Sequence, residues 1–102
     1  MTVEYRIDPS RSGEFVKVMK AWSRVRRRDG AIRWGLFYDT SDPGLYVETF
    51  LVDSWAEHLR QHGRVTVADL ELERQVRSFH LGEKPPAVAH LIRAGAENGG
   101  KQ

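Results

Sequence analysis

One stretch, Tyr46–His62, constrains the fold of this chain more than any other. It opens as seven residues rich in Val, Thr, Tyr and Phe (Tyr46 to Val52), with apolar side chains on both faces of the expected strand. It breaks at Asp53 and restarts as a helix. Ser54 and Glu57 form an S-x-x-E capping box, which satisfies backbone donors that a helix start leaves orphaned. On that helix Trp55, His58, Leu59 and His62 fall at i, i+3, i+4 and i+7, a single stripe. A central strand thus delivers a Trp and two His to the inner face of a helix, where chemical side chains converge.

The flanking segments supply the other elements. Val3, Tyr5 and Ile7 alternate with charged residues as a half-buried strand, and Asp8-Pro9 reads as N-cap and first residue of a helix. Phe15, Val18, Met19, Trp22 and Val25 mark its buried stripe, and Gly30 is its stop. The basic run Arg24, Arg26, Arg27 and Arg28 is expected to be a solvated helix end, where cations oppose the helix dipole. A second strand runs from Ile32 to Tyr38. Simple alternation puts Ile32, Trp34, Leu36 and Tyr38 on one face and Arg33, Gly35 and Phe37 on the other. Asp42-Pro43-Gly44 is the expected hairpin turn.

After His62-Gly63, Thr66 and Asp69 cap a longer helix reaching Phe79 or His80, with Val65, Ala68, Leu72, Val76 and Phe79 as its stripe. Val88 to Ile92 is the last strand. The order β-α-β-β-α-β, with the second helix broken in two, predicts an α+β fold of the ferredoxin-like split βαβ type, an antiparallel sheet with helices on one face. Residues 1–93 are expected to form this domain and residues 94–102 a disordered tail. Strands two and three are apolar on both faces, so the uncovered face is expected to pack on a second copy through Tyr46, Phe50 and Phe37.

Several classes are excluded. With 102 residues there is room for one core, and with no cysteine there is neither a disulfide framework nor a thiol nucleophile. No apolar run approaches a membrane span, and the N-terminus lacks a signal-peptide core, which fits a cytoplasmic protein. A net charge of +2 gives no nucleic-acid footprint. His58 and His62 are spaced to share a metal, but no third ligand accompanies them, so no metal or other cofactor is expected. Glu48, inside a strand, requires a cation if buried, and Arg33 across the hairpin is the expected partner.

With these elements in hand, the segment Glu48-Thr49-Phe50-Leu51-Val52-Asp53-Ser54-Trp55-Ala56-Glu57-His58-Leu59 resembles the dimeric α+β barrel superfamily, which contains the antibiotic-biosynthesis-monooxygenase-like domains. The runs Glu4-Tyr5-Arg6-Ile7-Asp8, Arg28-Asp29-Gly30-Ala31-Ile32-Arg33-Trp34-Gly35 and Tyr46 through His62 look more specifically like the soluble C-terminal domain of bacterial major-facilitator exporters, the transmembrane secretion effectors. The resemblance implies a homodimer and a pocket between sheet and helices, here with Trp22, Trp34, Tyr38, Trp55, His58 and His62 as lining candidates and His58 as the candidate base. It also implies that oxygenase relatives use an Asn near the first strand; the asparagine here is Asn98. The expectation is a non-catalytic barrel that binds a small apolar or aromatic molecule, and the resemblance to exporter domains implies a link to export. The alternatives are a cofactor-independent monooxygenase and a plain dimerisation module.

Overall fold

The computed structural model describes residues 1–52, 56, 60 and 65–91. Strand β1 (Thr2–Arg6) leads through one turn of 3-10 helix (Pro9–Arg11) into helix α1 (Ser12–Arg28). Strands β2 (Ala31–Asp39) and β3 (Asp42–Val52) follow, then helix α2 (Val67–Ser78) and the short strand β4 (Ala87–Ala89). The sheet order is β2-β3-β1-β4, every neighbour antiparallel, which is the split βαβ arrangement.

Local chemistry sets the boundaries. Asp8 accepts from the Ser10 amide at 2.9 Å, and Pro9 starts the turn where its missing N–H costs nothing. Gly30 ends α1 with φ +100°, a conformation that side chains resist. Thr66 and Asp69 close a reciprocal capping box on α2. The Asp69 carboxylate also receives Arg28 from the last turn of α1. That pairing ties the C-terminal end of one helix to the start of the other. The core lies between the helices and one sheet face: Val3, Tyr5 and Tyr46 from the strands, Phe15, Met19 and Trp22 from α1, Val76 from α2, and Phe79 just beyond it. Phe15 is its hub, with Tyr5, Tyr46 and Phe79 meeting its ring edge-on at 5.2–5.5 Å.

Several sequence expectations need correction. The hairpin tip is Thr40-Ser41, with Asp39 paired to Asp42 and the Asp39 side chain accepting from the Ser41 amide at 2.7 Å. Asp42-Pro43-Gly44 therefore belongs to β3. Gly44 is there for close approach, since a Cβ at that position would stand 2.8 Å from the Ile7 carbonyl oxygen. Second, β2 carries a bulge: Ile32 pairs with Leu51 and Gly35 with Thr49, so Arg33 and Trp34 together oppose Phe50. Arg33 takes φ +52°, and Ile32 is moved to the face of Phe37. Third, the two faces of β3 are the reverse of those expected. Tyr46 and Phe50 are buried beneath the helices, so they are not available to a partner, whereas Phe37 is 60% exposed on the open face. Val65, ahead of the α2 cap, and Ala68 within α2 are exposed, and Asp69 takes the buried place, because its carboxylate is used by the cap and by Arg28. β4 starts one residue earlier than expected and ends at Ala89. The short helix expected after Ser54, the break in the second helix, the domain end at residue 93 and the tail at 94–102 lie outside the described residues.

Candidate ligand site

Among the described residues the most deeply buried polar group is Glu48, with 0% exposure in the middle of β3. A carboxylate there is tolerable only if donors replace water on both oxygens. Four do. Tyr5 Oη donates to Oε1 at 2.9 Å, and Arg26 reaches Oε1 from Nη2 at 3.0 Å and Oε2 from Nε at 2.8 Å. Trp34 Nε1 donates to Oε2 at 2.8 Å. The partner of Glu48 is thus Arg26, not Arg33, which the bulge leaves exposed. Nor is Arg26 part of a solvated helix end. It projects inward from the last turns of α1, its guanidinium 5.0 Å from the Trp22 ring and 4.7 Å from the Phe50 ring.

The electrostatics follow from this packing. Burial, then the charge of Glu48, pushes the Tyr5 phenol well above its ordinary range, so it stays protonated. Burial works against the charge on Arg26, but its hydrogen bonds to Glu48, together with the charge of Glu48 and the interaction with Tyr5, outweigh that and hold it above the usual arginine value.

Beside this cluster a cavity of about 180 Å³ opens between the β1–β4 edge and the helices. Val3, Pro86 and Val88 form the sheet-side wall, Trp22 and Val76 the helix side, and Glu73 and Arg77 add charged groups from α2. Tyr5 and Arg26 bring the buried network to the same space. Trp22 has a further property: its indole N–H is buried and, among the described residues, has no acceptor.

Of the residues expected to line a pocket, Trp22 does so, and Trp34 serves Glu48 from the side. Tyr38 is 62% exposed near the hairpin end, its ring 6.0 Å from that of Tyr46, and lines no part of this cavity. Trp55, His58 and His62 lie outside the described residues. The Glu48–Arg26 pair was missed by sequence reasoning although a signal existed. Arg26 continues the row Phe15, Met19, Trp22 at helical spacing, so its inward placement was readable from its position.

The split βαβ order defines a class of fold shared with known structures. A Bordetella bronchiseptica protein described as a candidate antibiotic biosynthesis monooxygenase superposes with TM-score 0.70 at 17% identity, over 91% of this chain and 93% of that one. A counterpart from Nitrosomonas europaea gives 0.66 at 12% identity, over 91% and 88%. One from Caulobacter crescentus gives 0.65 at 20%, over 84% and 79%. At these identities the likeness is one of fold. Residues 1–98 match the family described as transmembrane secretion effector, and the chain belongs to that family. Curated proteins show no sequence match to it. Among the described residues no helix is long and apolar enough to cross a membrane.

Proposed function

We propose that this protein binds a small, largely apolar or aromatic molecule in the cavity beside Trp22 and does not turn it over. The observation that carries this reading is the contrast between a polar network with no capacity left and an indole donor with no acceptor among the described residues. Glu48 already receives four hydrogen bonds, and Tyr5 spends its proton on Glu48. A general base needs a free lone pair within reach of the substrate, and this carboxylate is not one. The unpaired Trp22 N–H costs about 1–3 kcal/mol, which a ligand carbonyl or hydroxyl at the indole edge recovers. The volume is below the roughly 300–1,000 Å³ of common ligand sites, which favours a ligand of one or two fused rings.

In the same reading two copies pack through the open sheet face, where Ile32, Phe37 and Leu51 are exposed side by side. The protein then acts in the cytoplasm, with its family membership linking the bound molecule to export. The second reading, a cofactor-independent monooxygenase, draws on the fold likeness.

Calorimetric titration with 1-naphthol distinguishes the two. Saturable binding is expected, weakened about tenfold in Trp22→Phe, which keeps the ring bulk and removes the donor. Oxygen uptake with a dihydroxyanthracene-type quinol should not exceed the uncatalysed rate. Uptake above it would put the monooxygenase first, and an absence of any saturable binding would remove the ligand reading.

A further inference from the structure

The opposite side of the helix layer carries a different chemistry. Phe15, Met19, Trp22 and Arg26 point α1 toward the core, which turns Lys17, Lys20, Arg24 and Arg27 outward along a single stripe. All four are exposed, and among the described residues none has an ion-pair or hydrogen-bond partner for its side chain. The nearby carboxylates are taken: Glu14 faces Arg11, and Glu71 faces Arg74. Between α1 and α2 this stripe borders a groove of about 440 Å³ that includes Val18, Ala21 and Leu72. On α2, Leu72 and Val76 face inward, which turns Val67 and Leu70 outward; Val67 is 84% exposed.

Unpaired cations beside exposed aliphatic side chains match one partner: an interface that is anionic outside and hydrocarbon within. We infer that the outward side of the helix layer is a docking surface for an anionic lipid bilayer. Lys17, Lys20, Arg24 and Arg27 sit at the headgroup charge, while Val67 and Leu70 enter the boundary with the acyl chains. A single-stranded nucleic acid would use the same cations but needs stacking aromatics, and Phe15, Trp22 and Phe79 are all turned inward. This surface is separate from the cavity, so it stands or falls independently of ligand binding.

Co-sedimentation of the full chain with vesicles tests the inference. Binding is expected to vesicles of equal parts phosphatidylglycerol and phosphatidylcholine, and not to phosphatidylcholine alone. Lys20→Glu/Arg24→Glu should weaken it tenfold or more, as should about 0.5 M salt. Arg33→Glu/Lys84→Glu removes as much positive charge away from this stripe and should retain most of the binding. Equal binding to neutral vesicles, equal loss in both double variants, or no loss in the first would overturn the inference. So would displacement of the vesicles by a single-stranded oligonucleotide. Val67→Ser/Leu70→Ser should reduce binding without moving the melting temperature, because both residues are exposed.

Discussion

The two faces of β3 make an instructive pair. On the helix side Tyr46, Glu48 and Phe50 are buried, and the carboxylate is the most buried of the three. On the other side Val47 and Thr49 are half-buried and Leu51 is exposed, although two of these are aliphatic. Burial here follows the availability of partners more than the hydrophobicity of the residue. Glu48 is inside because α1, β1 and β2 each supply a donor to it. Leu51 is outside because none of the described elements covers that face.

Three substitutions break or sharpen this contrast. The largest effect belongs to Arg26→Ala, which strands the Glu48 carboxylate without its counter-charge and should cost about 3–5 kcal/mol in chemical denaturation. A loss comparable to that of an exposed arginine would show that the network is not what holds the inner face. Tyr5→Phe comes next, at about 1.5–3 kcal/mol for a hydrogen bond to a charged group. It also has a pH signature. In the unfolded chain this phenol ionises near its ordinary value of about 10, whereas in the folded chain it holds its proton to higher pH. The stability it confers is therefore complete below about pH 10 and declines as pH rises beyond it. Urea melts at increasing alkalinity should show a shallower decline in Tyr5→Phe than in the unaltered protein. An equal slope in both would mean that Tyr5 is not protected.

The smallest change in monomer stability, about 1 kcal/mol or less, is expected for Leu51→Asp on the open face. Its effect on assembly should be larger. Sedimentation at micromolar concentration should give the mass of two chains for the unaltered protein and of one for the variant. A single-chain mass for both would remove the second copy from the open face.

Much of the architecture was legible because it rests on local rules. Alternation in β1, the Gly30 stop and the Thr66–Asp69 cap each involve neighbours within a few residues and form as expected, while Asp8-Pro9 opens a turn of 3-10 helix ahead of α1 rather than α1 itself. The site was less legible, because its contacts depend on how separate elements meet. Glu48 and Arg26 are 22 positions apart, and nothing in strand alternation says which arginine reaches the carboxylate. The bulge at Arg33 and Trp34 adds one residue to β2 and so reverses the facing of Ile32. Apolar side chains on both faces of β3 left open which set the helices cover. A buried glutamate, needing donors from the helix side, decides it.

The sheet order also governs how the molecule comes together. Tyr5, Arg26, Trp34 and Glu48 all come from the first half of the sequence, so the charged network needs only β1, α1 and the β2–β3 hairpin. The cavity does not. Its far wall needs α2 and β4, and Thr2 meets Ala89 from nearly the other end of the chain. Closing so long a loop is slow compared with forming a hairpin. As the chain leaves the ribosome, its polar centre has all its parts well before β4 is available. A kinetic lesion in the last strand would yield a species with a sound interior and an unfinished binding wall.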